Sequence, residues 1–148
     1  MADSTLPSTK TPWHLWVVGV LAVLWNSVGV MDFVMTQTKN TAYLSAMTPK
    51  QLEYIYSFPF WAVAVWGIAV WGGVLGSLLL LFRKSLAVCV FVVSLIGIVL
   101  TDLYNFVLSN GLEVMGGAKA AVLPAVVFGI GVLLWLYARA MRTRAVLR

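Results

Sequence analysis

The sequence predicts an all-α fold: an integral membrane bundle of four transmembrane helices, with a short interfacial helix in the first outside connection. Three observations predict it. Hydrophobic residues make up 61% of the 148 residues and charged residues only 10%. Mean hydropathy is +0.95. Four continuous apolar runs, at about 13–35, 58–82, 86–108 and 120–141, occupy most of the chain. Each reaches the ~20 residues that a helix needs to cross a ~30 Å hydrocarbon layer. Inside hydrocarbon every backbone polar group must find its partner within the protein, so each run is expected to be helical. A barrel would need alternating rather than continuous apolar segments. The short connections leave room for one membrane domain, 1–148.

The first run follows a polar segment with Asp3 and one cation, Lys10. It exceeds the roughly 7–15 apolar residues of a signal peptide, so it is expected to stay as a helix. Thr48-Pro49-Lys50-Gln51 in the next connection is a helix start. Thr48 can cap, Pro49 suits the first turn, and Gln51 can complete a capping box. A surface helix is expected over about 49–57, with Pro59 bending the chain into the second span. Arg83-Lys84 makes a tight turn, so the second and third spans should be an antiparallel pair. Asn110–Gly117 reads as flexible from its glycines. Trp13, Trp16, Trp135 and Tyr137 suit the interface.

Net charge is +5. Lys10, Arg83, Lys84, Arg139, Arg142, Arg144 and Arg148 lie on one side of the expected bundle, against Lys39, Lys50 and Lys119 on the other. The cation-rich side is expected to be cytoplasmic, as in a multi-pass protein of a bacterial inner membrane with both termini inside. The cations therefore report topology, and no nucleic-acid partner is expected. The bilayer is a partner, together with other membrane proteins or further copies in a homo-oligomer.

Small and polar residues recur at helical spacing. The sets are Gly19, Ala22, Asn26 and Gly29; then Ala69, Gly73 and Ser77, with Gly72 and Gly76 beside them. The third span has Ser94, Gly97, Thr101 and Asn105, and the fourth has Ala121, Ala125 and Gly129. Small faces let membrane helices approach closely, so these stripes are expected to line the bundle interior. Gly29, Gly72, Gly73, Gly76, Gly97 and Gly129 are the expected close-packing glycines.

Two ionisable residues fall inside spans, Asp32 and Asp102. Intramembrane charge is costly and marks candidate function. With Asn26, Thr101 and Asn105 they form a candidate polar pocket at the outer end, fit for a proton, a cation or a hydroxylated solute. The alternative is that Asp32 reaches interfacial water while Asp102 and Asn105 bond neighbouring helices. Lone Cys89 is expected to be a small core residue. His14 has no second histidine to share a haem with. Trp66 and Trp71 are expected to be packed or lipid-facing. No nucleophile–base pair, metal-ligand spacing or phosphate loop is visible. No enzyme activity, cofactor or metal is expected.

The run from Leu24 to Thr38, the Phe58-Pro59-Phe60-Trp61 element and the run from Gly72 to Leu81 resemble a group of short four-helix bacterial inner-membrane proteins often labelled "sugar transporter". The second span and its Arg83 turn are also similar to DoxX-like four-helix proteins. The resemblance implies a four-helix membrane fold and brings no site residues with it. The leading expectation is a structural or accessory subunit of a larger membrane assembly. The alternative is an oligomeric small-solute or proton-coupled transporter, by analogy with small four-helix exporters. An enzyme acting on lipid or quinone ranks last.

Overall fold

The structure is a computed structural model and describes residues 9–148; Asp3 lies outside the described residues. The elements, in order, are α1 (Trp13–Gln37), α2 (Thr41–Leu44), α3 (Pro49–Tyr56), α4 (Phe60–Leu81), α5 (Leu86–Leu103), α6 (Gly111–Val114) and α7 (Val122–Thr143). A π-helical turn, Tyr104–Leu108, prolongs α5, and a 3-10 turn, Gly117–Ala121, leads into α7. Four helices are long and apolar enough to cross a membrane, as in a multi-pass membrane protein. No strand occurs among the described residues.

Local chemistry explains the helix boundaries. The Thr48 hydroxyl accepts from the Gln51 backbone N–H, and the Gln51 side chain accepts from the Thr48 N–H, completing the capping box. Pro59 caps α4, where its missing N–H costs nothing. α1, α4 and α7 end alike. Lys39, Arg83 and Ala145 each adopt positive φ, and the next residue's N–H reaches back to Met35, Leu79 and Met141 respectively. Each is a Schellman ending that satisfies carbonyls left open by the last turn.

The 110–117 connection is more structured than its glycines predict. It forms α6 and the start of the 3-10 turn, and Gly111 is buried. A Cβ there would collide with the Tyr54 hydroxyl and stand 2.7 Å from the Asn105 carbonyl oxygen. Within this connection only Gly116 and Gly117 use positive φ.

α4 packs against α1 on one side and α5 on the other, and α7 packs on α5. Small residues make this possible. A Cβ at Gly97 would stand 3.0 Å from the Ala69 backbone nitrogen, and one at Gly76 would stand 2.8 Å from the Phe91 ring. At Gly72 it would stand 3.1 Å from Ser94 Cβ, and at Gly73 it would strike the Asn26 carboxamide. Gly29 is looser, 3.5 Å from Val70.

The small face of α7 departs from expectation. Gly129 has no neighbouring atom within 4 Å of its Cβ position, and Ala125 is exposed. The helix turns Gly131 instead toward Leu95 of α5. Residues two positions apart on a helix point to nearly opposite sides, so a helix carrying Gly131 inward carries Gly129 outward. Only Leu134, Ala138 and Met141 of α7 are buried, all in the half near its C-terminus. Cys89 also differs from expectation, because it is exposed on the apolar outer surface.

The core sits where α1 begins and α7 ends. Leu15, Leu80, Phe91, Ala138 and Met141 meet there, joined by Val146 and Leu147 of the C-terminal segment. That segment folds back over the α4–α5 turn. The Arg148 N–H donates to the Arg83 carbonyl at 2.7 Å, and the Ser85 N–H donates to the Arg148 carbonyl at 2.8 Å. His14 and Tyr137 share a hydrogen bond that ties α1 to α7 at the same end.

Candidate functional site

The polar residues singled out from the sequence fall into separate groups. Asn26 lies deepest. Its Nδ2 donates to the Ala22 carbonyl at 2.8 Å and to Ser77 Oγ of α4 at 3.2 Å. Ser77 is buried and donates to the Gly73 carbonyl at 2.7 Å. One turn along the bundle, buried Ser94 of α5 donates across to the Ala69 carbonyl of α4 at 2.6 Å. These contacts join α1 to α4 and α4 to α5, and each interhelical bond is worth about 0.6 and at most ~1.7 kcal/mol in a membrane. Asn26, Gly73, Ser94 and Gly131 also line a void of ≈ 20 Å³ between the four long helices. That is room for about one water molecule.

Asp32 forms the second group. It lies about 1.7 turns beyond Asn26, roughly 9 Å along the helix axis. Its carboxylate accepts the Tyr43 hydroxyl of the connection at 2.7 Å. The hydrogen bond to Asp32, then burial, then the Asp32 charge push the Tyr43 pKa from 10.0 up to about 12. The folded value exceeds the ordinary one. The contribution of this contact is therefore complete below pH 10.0 and lost as pH rises toward about 12. A phenolate titration of the five tyrosines should show one of them ionising near pH 12. In Asp32→Asn that tyrosine should move down toward the others. An unchanged titration curve in the variant would remove the Asp32–Tyr43 bond from the account.

Thr101 and Asn105 belong to a third group, at the end of α5. Thr101 Oγ1 donates to the Gly97 carbonyl, and Asn105 Nδ2 donates to the Thr101 carbonyl. Asn105 Oδ1 accepts the Tyr54 hydroxyl from α3 at 2.9 Å. Tyr54 and Ser109 also share a hydrogen bond, and Ser109 Oγ reaches the Tyr104 carbonyl. Side chains that bond backbone carbonyls compete with the helical ladder, and here they accompany its widening into a π turn. Burial pushes the Tyr54 pKa up, partly opposed by its Ser109 bond. Phe58 packs edge-on against both Tyr54 and Tyr104. This group docks the surface helix α3 onto the end of α5.

Asp102 is partly buried and makes no hydrogen bond among the described residues. By helical position it flanks the Thr101–Asn105 side of α5, three residues before Asn105. Thr101 and Asn105 are thus brought together, while Asn26 and Asp32 each bond other neighbours. Sequence reasoning passed over Tyr43 and Ser109 as partners of this region. A serine next to a helix end and a tyrosine in a polar connection carry no spacing signal of their own. Trp66 packs edge-on against Phe33 of α1 at 5.0 Å, and Trp71 is exposed on the outer surface. No cluster of three His, Cys, Asp or Glu occurs among the described residues.

Comparison with protein families, with curated proteins and with solved structures finds no match to this chain.

Proposed function

We propose that this chain is an accessory subunit of a larger membrane assembly, in a bacterial inner membrane with both termini cytoplasmic. The observation that carries this reading is the outward-facing small stripe of α7. Ala125 is exposed and Gly129 has open space at its Cβ position, so no other helix of the bundle covers this face. Small stripes are the surfaces by which membrane helices approach one another closely, whereas lipid needs none. Beside that helix, Val92, Leu95, Ile96, Val99, Leu100 and Trp135 line a groove of ≈ 300 Å³ between α5 and α7. Its walls are wholly apolar and would seat ridges of a partner helix.

The polar residues support the same reading, since the bonds of Asn26, Ser77, Ser94 and Asn105 serve to join elements of this chain. Purification in mild detergent tests it. The wild-type chain should co-elute with a larger membrane protein, and Gly129→Leu should release that partner while the isolated bundle keeps its thermal stability. Elution of the wild-type chain only as a homo-oligomer would favour the transporter reading instead.

A further inference from the structure

Charge is strongly segregated along the bundle. Every acidic side chain among the described residues lies at one end: Asp32 near the end of α1, Asp102 at the end of α5, Glu53 in α3 and Glu113 in α6. The opposite end collects Lys10, Arg83, Lys84, Arg142, Arg144 and Arg148 without an acidic side chain among the described residues. Cations gathered at a membrane surface repel one another unless an anion lies between them.

The C-terminal segment turns part of this end into a seat. Its hydrogen bonds with the α4–α5 turn hold Arg148 directly beside Arg83 and Lys84. Arg83 Nε donates to the Val146 carbonyl at 3.1 Å, which fixes the guanidinium. Arg83 Nη2 is buried and has no hydrogen-bond partner among the described residues. The Arg83 side chain is only partly buried, while Lys84 and Arg148 are exposed. A fixed, planar guanidinium matches a phosphate better than a point charge does.

We infer that Arg83, Lys84 and Arg148 bind the phosphodiester headgroup of an anionic phospholipid. Depth selects the lipid rather than a soluble phosphate. The seat lies at the end of two spans, at the level of Trp13 and Trp16, where headgroups of the bilayer reside. Arg139 stacks on Trp135 one turn deeper, 5.8 Å from the ring centroid, and adds to the field. The exposed Lys84 and Arg148 side chains meet the headgroup beside the Arg83 guanidinium, and its charge relieves the repulsion among the cations.

Native mass spectrometry of the full chain in neutral detergent tests this. The probes are a phosphatidylglycerol and a phosphatidylcholine with the same acyl chains, and inorganic phosphate. Phosphatidylglycerol should bind at least about fivefold more tightly than phosphatidylcholine, the factor expected for one well-placed cation. Arg83→Gln should reduce that preference. Because Arg83 also holds the C-terminal segment, the exposed pair Lys84→Gln/Arg148→Gln provides a variant whose fold does not depend on the change, and it should abolish the preference. Lys39→Gln/Lys50→Gln at the opposite end should leave it intact. Equal binding of the two lipids would overturn the inference. So would displacement of phosphatidylglycerol by an equal concentration of inorganic phosphate, which would make the ligand a free anion. An equal loss in Lys39→Gln/Lys50→Gln would overturn it too, by reducing the effect to net charge.

Discussion

Replacing Gly97 with leucine should separate α4 from α5 and cost the bundle about 3 kcal/mol, at the upper end of what overpacking does. The reason is the rigidity of what the new side chain meets. A Cβ at Gly97 would stand 3.0 Å from the Ala69 backbone nitrogen and 3.1 Å from its Cα. Backbone inside a helix cannot turn aside, so the helices must move apart. That movement also stretches the bond from Ser94 Oγ to the Ala69 carbonyl, one turn away. At Gly19 the obstacle is the tip of Leu81, which can change rotamer, so Gly19→Ala should be milder. Thermal unfolding in detergent, followed by circular dichroism, should rank Gly97→Leu far below wild type and Gly129→Leu beside it. Equal stability of the two variants would mean that the α4–α5 contact does not set the stability of the bundle.

The second large effect concerns the C-terminal segment. Val146 and Leu147 are each 5% exposed, and they lie beyond the end of the last span at Thr143, outside the hydrocarbon. There the hydrophobic effect operates at full strength. Val146→Ala/Leu147→Ala should cost about 3 kcal/mol or more, because both side chains leave space against Leu80 and Met141. Arg148→Ala should cost little, since the bonds of Arg148 to Arg83 and Ser85 run through the backbone. The double variant should also become sensitive to protease at the α4–α5 turn, which loses its cover. Wild-type stability in the double variant would make this segment an ornament of the fold.

The four spans and the capping box over Thr48–Gln51 are legible in the sequence because they depend on local physics. A long apolar run has one solution in lipid, and a capping box closes within four residues. The lateral arrangement is a different matter. Helical spacing tells which residues share a face but not which neighbour that face meets. Gly72, Gly73, Gly76 and Gly97 sit at close approaches, whereas Gly129 turns outward because Gly131 is the residue that meets α5. A single helix with glycines two positions apart offers two opposite small faces, and only packing chooses between them.

The candidate pocket divides for a similar reason. Asn26, Asp32 and Asn105 read alike as polar residues near one end, yet each finds a different partner. Ser77 lies 51 residues from Asn26, and Tyr54 lies 51 residues from Asn105. Such pairs carry no pattern that a scan along the chain can register. Asp32 finds Tyr43 only because Schellman closure at Lys39 turns the connection back over α1.

The accessory reading rests on the outward face of α7, and cysteine cross-linking within intact membranes tests that face directly. In a Cys89→Ser background, Ala125→Cys should give a cross-linked product with a second, larger membrane protein, while Leu75→Cys on the outer side of α4 should not. Absence of any product at Ala125→Cys, or a product with Leu75→Cys in equal yield, would contradict a partner helix on α7.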